Sequence, residues 1–132
     1  MATFKNLEEA RAYFEGDRFA VENGMVIDAI GEGTSACSMT ILPRHLNANG
    51  GVMGGAIFTL ADFAFAAASN NVHRPTVGLQ VSINFMSPAK GTRLIARARC
   101  VKDGRTTCVY AIDVTDDLGR DVARFTGTGY KA

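Results

Sequence analysis

Hydrophobic and polar residues alternate along most of this chain, but one segment, Gly54 to Asn70, is apolar almost without interruption. The segment is rich in alanine and phenylalanine and contains no proline, and this composition predicts an α-helix over residues 55–69. Because the helix is hydrophobic on nearly every side, we expect it to be buried at the centre of the fold. It is shorter than the roughly 20 apolar residues that cross a bilayer, so it does not predict a membrane protein.

The other segments predict one short helix and a set of strands. Asn6, followed within three residues by two glutamates, is a typical N-cap, so a first helix is expected over residues 6–15. Asp103-Gly104 indicates a two-residue hairpin turn. We therefore expect one α+β domain over residues 1–132, with an antiparallel sheet of five or six strands wrapped around one long central helix. Two-residue periodicity and turn sequences predict the strands over residues 24–31, 34–42, 76–85, 93–101, 106–115 and 121–130.

Composition narrows the class of protein. The chain has 132 residues, of which 47% are hydrophobic and 20% charged, as in an ordinary folded domain. Its net charge of +1 gives no reason to expect binding to nucleic acid or to an anionic membrane. The first residues lack the apolar run of a secretory signal, so a cytoplasmic location is expected. The three cysteines do not have a metal-binding spacing, and no metal site is expected.

Asp62 is the only charged residue within the apolar segment. Burying an ionised carboxylate without partners costs roughly several kcal/mol, so the group must find donors, shift its pKa or border a wet cleft. A structural alternative is an aspartate held by backbone amides or facing a subunit interface. The paired glycines Gly54 and Gly55 upstream favour a functional carboxylate, although glycines there would also serve a tight turn and close helix–sheet packing.

The segment from His45 to Asp62 resembles the signature of hotdog-fold acyl-CoA thioesterases of the phenylacetate-degradation (PaaI) type. Those proteins typically show Asn, then Gly, then His-Gly-Gly, then Leu-Ala-Asp at this spacing. Further similarity lies in Asn84-Phe85-Met86-Ser87-Pro88-Ala89-Lys90-Gly91 and in Gly127-Thr128-Gly129-Tyr130. Met53 stands where the family usually has histidine. The resemblance implies a hotdog fold and hydrolysis of an acyl-CoA thioester, with no cofactor other than the coenzyme A of the substrate itself.

Thioester hydrolysis requires a base or nucleophile near the carbonyl carbon and hydrogen-bond donors for the oxyanion that develops. Gly54 lies at the predicted helix start, where free N–H groups and the positive end of the helix dipole favour negative charge. We therefore assign its amide to the oxyanion hole. Asp62 would either activate a water as general base or attack the carbonyl itself, and the sequence leaves both routes open.

The spacing of these two groups predicts the assembly. Eight residues part Gly54 from Asp62, which is about 12 Å along a helix at 1.5 Å per residue. If both contact one carbonyl at about 3 Å, Asp62 must come from a second, oppositely directed copy of the helix. The mechanism thus predicts a homodimer with two composite sites. The family resemblance adds the expectation that dimers associate into a homotetramer.

The remaining site residues follow mostly from the resemblance. Asn47 is expected to hold the nucleophilic water or the substrate, with an Asx turn that closes the loop as the alternative. A cationic rim for the phosphates of coenzyme A is expected from Lys90 and Arg105, with Lys102 beside them. His45 is expected to be a loop or interface histidine rather than the base. Residues expected to contact the substrate elsewhere are Met53, Gly55, Phe58 and, at the next strand, Thr76.

Two other functions stay open at this stage. His45 with Asp62 could imitate the acid–base pair of hydratases or dehydratases that act on acyl thioesters. The usual His-Phe-Pro-Gly loop of that class is absent. Alternatively, a chain that has Met53 in place of histidine could bind acyl-CoA as a sensor without turning it over.

Overall fold

The computed structural model describes all residues 1–132, and it consists of three α-helices and six β-strands. The predicted hotdog architecture is confirmed: one antiparallel sheet, in the order β1-β2-β4-β5-β6-β3, wraps around the longest helix. None of the helices combines the length and hydropathy that a membrane crossing requires. In chain order the elements are α1 Leu7–Phe14, α2 Arg18–Glu22, β1 Val26–Gly31, β2 Thr34–Thr40, α3 Gly54–Asn70, β3 Thr76–Phe85, β4 Arg93–Asp103, β5 Thr107–Asp116 and β6 Asp121–Lys131.

The sheet forms because its strands have one apolar and one polar face. On β4, Leu94, Ala96 and Ala98 point into the core, while Arg97 and Arg99 are exposed on the other face. The predicted two-residue alternation is therefore confirmed for this strand. The inner face packs on α3, mainly through β2, β4 and β5.

The two edge strands of the sheet, β1 and β3, differ in what lies beside their outer edges. β1 has six residues, a bulge at Asp28, and α1 packed beside it, with the Arg11 Nε donating to the Ile27 carbonyl at 2.8 Å. β3 has ten residues and pairs only with β6, so its other edge is open. Val77 and Leu79 on β3 are exposed. The β3 edge thus carries unpaired backbone groups beside apolar side chains.

α3 is not buried on every side, and that expectation was wrong. Ten of its 17 residues are buried, but Gly55, Phe58 and Asp62 are exposed in the single chain. These exposed residues recur every three to four positions, so they form one stripe along the helix. An apolar composition cannot distinguish a side of the helix that faces the core from a side that stays exposed in the single chain.

Two local predictions also need correction. The five-residue α2 between the first helix and β1 was not predicted, because it is short and its N-cap residue, Asp17, makes no capping hydrogen bond. The turn after Asp103 contains three residues, 104–106, rather than two. There the Gly104 N–H donates to the Thr107 carbonyl at 2.9 Å, and a bulge at Val101 offsets the strand register.

Candidate active site

Gly54 is the first residue of α3, and its backbone N–H is free. Met53 precedes it with an extended backbone, φ −63° and ψ 137°, and the Met53 side chain does not cap the helix. Neither the Gly54 nor the Gly55 N–H donates a hydrogen bond within the chain. The start of α3 therefore presents two unused donors and the positive end of the helix dipole, as an oxyanion site requires.

The loop before α3 is a tight hairpin closed by Asn47. Its Oδ1 accepts hydrogen bonds from the N–H groups of Asn49 at 2.9 Å and Gly51 at 3.1 Å. The Gly51 carbonyl accepts from the Asn47 N–H at 2.7 Å, and Gly50 has φ 82°. The Asx-turn alternative for Asn47 is therefore present, while its exposed Nδ2 makes no hydrogen bond in the chain. One side chain thus shapes the loop and keeps a donor available.

His45 is a structural residue of this loop. The residue is 3% exposed, and its Nδ1 accepts a hydrogen bond from the Leu42 N–H at 2.9 Å. Nε2 consequently acts as the donor to the Asn23 carbonyl, 3.1 Å away. The His45 carbonyl also accepts from the Met53 N–H at 2.8 Å. With both ring nitrogens occupied, His45 connects the loop to the end of α2 and is not available as a base.

Asp62 lies in the middle of α3, on its exposed stripe. It lines a cavity of about 360 Å³ between α2 and α3, together with Asp17, Phe19 and Phe58. The Asp62 carboxyl makes no hydrogen bond or ion pair in the chain, and its pKa is raised, first by desolvation and then by the negative charge of Asp17. A carboxylate with a raised pKa is a stronger base and nucleophile than an ordinary surface aspartate.

The chain does not bring Gly54 and Asp62 together. Gly54 lines a different cavity of about 390 Å³, between the start of α3 and the segment from Phe85 to Pro88. Asp62 is absent from that cavity, and Gly54 is absent from the cavity that contains Asp62. One substrate carbonyl therefore cannot reach both groups within a single chain.

Met53, Gly55 and Phe58 do come together, in a third cavity of about 340 Å³ that also contains Phe19 and His45. Met53 is 52% exposed, so its thioether is free to contact a ligand. Phe58 also lines the Asp62 cavity and packs its ring against Phe125, with centroids 5.4 Å apart. Phe58 thus forms the wall shared by two neighbouring cavities along the exposed stripe.

Thr76 lies away from these groups. It begins β3 at the far end of α3, and its hydroxyl donates to the His73 carbonyl at 2.6 Å. Its backbone N–H and carbonyl are held by the side chain of Asn70. Thr76 lines neither the Gly54 cavity nor the Asp62 cavity.

Lys90 and Arg105, the residues expected to form a cationic rim, do not lie together within one chain. Lys90 precedes the start of β4, whereas Lys102 and Arg105 lie at its other end. An 11-residue strand is about 35 Å long, so these side chains cannot contact one phosphate group together. Arg120 is a closer neighbour of Lys90, because its Nε donates to the Pro88 carbonyl at 3.0 Å.

Asp116 fixes the backbone around Lys90. This carboxylate is 2% exposed, and its hydrogen bonds, led by the one from the Lys90 N–H at 2.8 Å, lower its pKa to about 2. The segment before β4 is therefore held rigidly on the turn between β5 and β6. The other backbone N–H donors to Asp116 are those of Gly91, Leu118 and Arg120.

Sequence reasoning missed Asp17, Phe19 and Arg120. Asp17 and Phe19 reach the stripe of α3 only because α2 folds back over it, and Phe19 is 72% exposed. A signal was available in Gly16-Asp17, since aspartate after a helix-ending glycine often starts another helix. No group of three His, Cys, Asp or Glu side chains is placed to hold a metal ion.

Comparison with known proteins supports the architecture. The Thioesterase superfamily model matches residues 49–123, which include Gly54, Asp62 and most of the sheet. The acyl-coenzyme A thioesterase PaaI of Escherichia coli is 33% identical over 96% of this chain and 91% of its own length. The solved structure of the E. coli PaaI protein from the phenylacetic acid degradation operon has a TM-score of 0.88 and 32% identity, and covers 93% of this chain and 90% of that one.

Two further relatives agree. A putative esterase of Archaeoglobus fulgidus is 38% identical over 76% of this chain and 66% of its own length. A hypothetical thioesterase from Streptococcus pneumoniae, solved with coenzyme A, has a TM-score of 0.83 and 29% identity, and covers 90% of this chain and 96% of that one. The sequence signature, the hotdog sheet and these matches lead to one conclusion. The chain belongs to the thioesterase superfamily, and within it to the PaaI-like proteins.

Proposed function

We propose that this protein hydrolyses acyl-CoA thioesters at a site built from two subunits. One subunit supplies the Gly54 N–H to the carbonyl oxygen, and the other supplies Asp62 at the carbonyl carbon. The observation that carries the proposal is the separation of these two groups: both are unpartnered on α3, yet they line different cavities of one chain. E. coli PaaI is an acyl-coenzyme A thioesterase and the S. pneumoniae protein was solved with coenzyme A, and both similarities support the same substrate class.

The open edge of β3 supports a homodimer. A ten-residue edge strand with exposed Val77 and Leu79 invites pairing with another strand. Both edge strands have a bulge, at Asp28 in β1 and at Leu79 in β3, but α1 packs beside β1 and not beside β3. Pairing of β3 with a second β3, antiparallel about a two-fold axis, satisfies the free backbone groups of both chains. The same axis would place two α3 helices side by side in opposite directions.

The exposed stripe of α3 is the second support. Gly54, Phe58 and Asp62 follow one another at four-residue steps, so they lie on roughly one side of the helix. In two antiparallel helices, the Gly54 end of one lies beside the Asp62 region of the other. A thioester between them would have the free N–H on its oxygen and the carboxylate near its carbon.

Two routes for the bond changes fit this arrangement. As general base, Asp62 takes a proton from water, the resulting hydroxide adds to the carbonyl carbon, and the Gly54 N–H stabilises the oxyanion. As nucleophile, the carboxylate itself adds and forms an anhydride that water then hydrolyses. In both routes the C–S bond breaks and the leaving thiolate of coenzyme A takes up a proton. The raised pKa of Asp62 helps either route, because it strengthens the attacking group.

Apolar side chains define the acyl end of the proposed site. Met53, Phe58 and Phe19 line the third cavity, of about 340 Å³. Methionine in place of the usual histidine removes a polar group from that wall, so we expect aryl or medium-chain acyl groups to be preferred over short polar ones.

The test is release of free thiol from benzoyl-, phenylacetyl- and hexanoyl-CoA by the wild type, Asp62→Asn and Asp62→Ala. We expect kcat/KM to fall about 10²- to 10⁴-fold in both variants, the usual range for loss of a general base. Asp28→Asn is the matched control, because Asp28 is also an exposed aspartate without a hydrogen bond but lies on the β1 bulge.

Folding and subunit number are checked for every variant by circular dichroism and light scattering. Full turnover in folded Asp62→Ala would refute the assigned role of Asp62. Saturable acyl-CoA binding by a wild type that releases no thiol would favour a sensor instead.

A further inference from the structure

Asp17 is a second carboxylate at the cavity that contains Asp62. It is the residue before α2, and it lines the 360 Å³ cavity on the side opposite α3. The position is that of an N-cap, where an aspartate normally accepts a hydrogen bond from the first turn of its helix. Here φ −78° and ψ 72° depart from the extended N-cap conformation, and the Asp17 side chain makes no capping bond. Its charge is therefore not neutralised by its own helix.

No cation intervenes between Asp17 and Asp62. Arg18, which lines the same cavity, is engaged by Glu22, with Nε at 2.8 Å and Nη2 at 2.6 Å from Oε2. Arg11 on α1 lines the neighbouring cavity beyond Phe63 and donates to a carbonyl of β1. The two carboxylates thus face the same space while the nearby guanidinium groups are held elsewhere.

The remaining acidic residue near the Asp62 cavity is Glu15. Glu15, at the end of α1, lines the same neighbouring cavity as Arg11. α3 contributes no charged residue other than Asp62. Among the side chains that line the cavity itself, Asp17 is the one like charge available to act on Asp62.

We propose that Asp17 is a positioning residue for thioester hydrolysis, whose negative charge across the cavity keeps the Asp62 carboxyl basic. The inference rests on the proposed role of Asp62. It assigns to α2 a function in the chemistry, although α2 supplies no group that touches the carbonyl. It also gives a reason for an aspartate at a cap position where it does not cap.

The electrostatics agree with this arrangement. The pKa of Asp17 is raised by desolvation, and that of Asp62 is raised by desolvation and then by Asp17. A like charge nearby disfavours the ionised form, so removal of the Asp17 charge lowers the pKa of Asp62. Hydrolysis requires ionised Asp62, so the acid side of the pH–rate profile then moves to lower pH. A second subunit over the cavity would exclude water and strengthen the repulsion.

The experiment is a pH profile of kcat/KM with hexanoyl-CoA for the wild type, Asp17→Asn and Asp17→Glu. For each protein, kcat/KM at a pH on the acid limb is divided by its plateau value. For Asp17→Asn we expect this ratio to be at least about twofold higher than for the wild type, as loss of a modest charge repulsion predicts. The plateau kcat should fall slightly, because a less basic carboxylate is a weaker catalyst. Asp17→Glu keeps the charge and should restore the wild-type profile, whereas Asp28→Asn removes an equal charge elsewhere and should leave the profile unchanged.

Each alternative result has a defined meaning. A uniform loss of activity in Asp17→Asn, without movement of the acid limb, would overturn the inference and leave Asp17 a structural residue. Asp17→Ser, which suits an N-cap and also lacks the charge, repeats the test if the asparagine variant does not fold. Asp62→Asn is measured alongside: if it retains turnover, the proposed function fails. If it is inactive while the Asp17→Asn profile matches wild type, only this inference fails.

Discussion

Complementation between two inactive variants would test the composite site directly. One subunit carries Asp62→Asn and keeps its Gly54 N–H, while the other carries Gly54→Pro and keeps its Asp62. In a mixed dimer, one site would combine both defects. The other site would combine the intact Gly54 of the first subunit with the intact Asp62 of the second.

The expected magnitude follows from the symmetry. A two-fold dimer has two equivalent sites, so a mixed dimer with one restored site should show about half of the wild-type rate per dimer. Each parent homodimer should show about 1% of that rate or less, because loss of one oxyanion donor costs about 10²- to 10³-fold and loss of the base about 10²- to 10⁴-fold. The signal is therefore at least about fifty times the background.

Proline suits position 54 because it deletes the N–H without opposing the helix. Gly54 is the first residue of α3, where proline is favoured and the missing donor has no partner within the helix. Met53 already has the extended backbone that a residue before proline requires. An added Cβ would lie 3.1 Å from the Phe85 ring, which is 54% exposed and has room to move.

The assay uses co-expression with two different affinity tags, so that only assemblies that contain both chains survive two purification steps, and mixed dimers are then isolated from larger assemblies by size. Thiol release from hexanoyl-CoA is then compared with both homodimers and with a doubly tagged wild type. Circular dichroism confirms that the parent variants fold. If the site lay within one chain, every site of the mixed dimer would carry one defect. Activity at the level of the parents in folded, purified mixed dimers would therefore refute the two-subunit site.

Two further predictions concern stability. Asp116→Asn should destabilise the fold most near neutral pH: the low folded-state pKa of about 2 gives a stabilisation that is complete above about pH 4 and is lost as the pH falls toward 2. Urea unfolding of both proteins at pH 7 and pH 3 measures this, and an equal difference at both values would contradict it. Gly129→Ala should lower the free energy of unfolding by about 1–3 kcal/mol, since its Cβ would lie 2.9 Å from both the Cys108 Sγ and the Thr76 Cγ2. Gly16→Ala, with only the Tyr13 carbonyl at 3.7 Å, is its control, and equal stability of the two variants would speak against this packing.

The parts of the fold that the sequence predicted are those with a long local signal. The apolar run of α3 extends over 17 residues and the two-residue alternation on β4 over residues 93–100, so composition identifies the helix and periodicity identifies the strand. α2 has five residues and no side-chain cap, so it depends on packing rather than on its own sequence. The sequence therefore offers only the N-cap signal of Gly16-Asp17 for this helix, and it does not show that α2 brings Asp17 and Phe19 to the candidate site.

The site was predictable only as far as it lies on one element. Gly54 and Asp62 could be proposed as a pair because both belong to α3 and their spacing fixes their separation. Lys90 and Arg105 were grouped because turn residues are exposed, but β4 holds them at opposite ends. Which side of α3 stays exposed depends on how the sheet and α2 pack around the helix, and the composition of the helix does not contain that information.

The strand order also determines when, during synthesis, β3 can form hydrogen bonds with its partner strand. β3 ends at Phe85, but its only partner in the chain, β6, begins at Asp121 and is the last strand to be made. At about 5–20 residues per second, a ribosome needs several seconds to supply that partner. Throughout this interval the nascent chain contains an apolar strand with no backbone neighbour. β3, the strand proposed to join two subunits, is thus the strand that waits longest for its first partner and is exposed longest to contacts with other nascent chains.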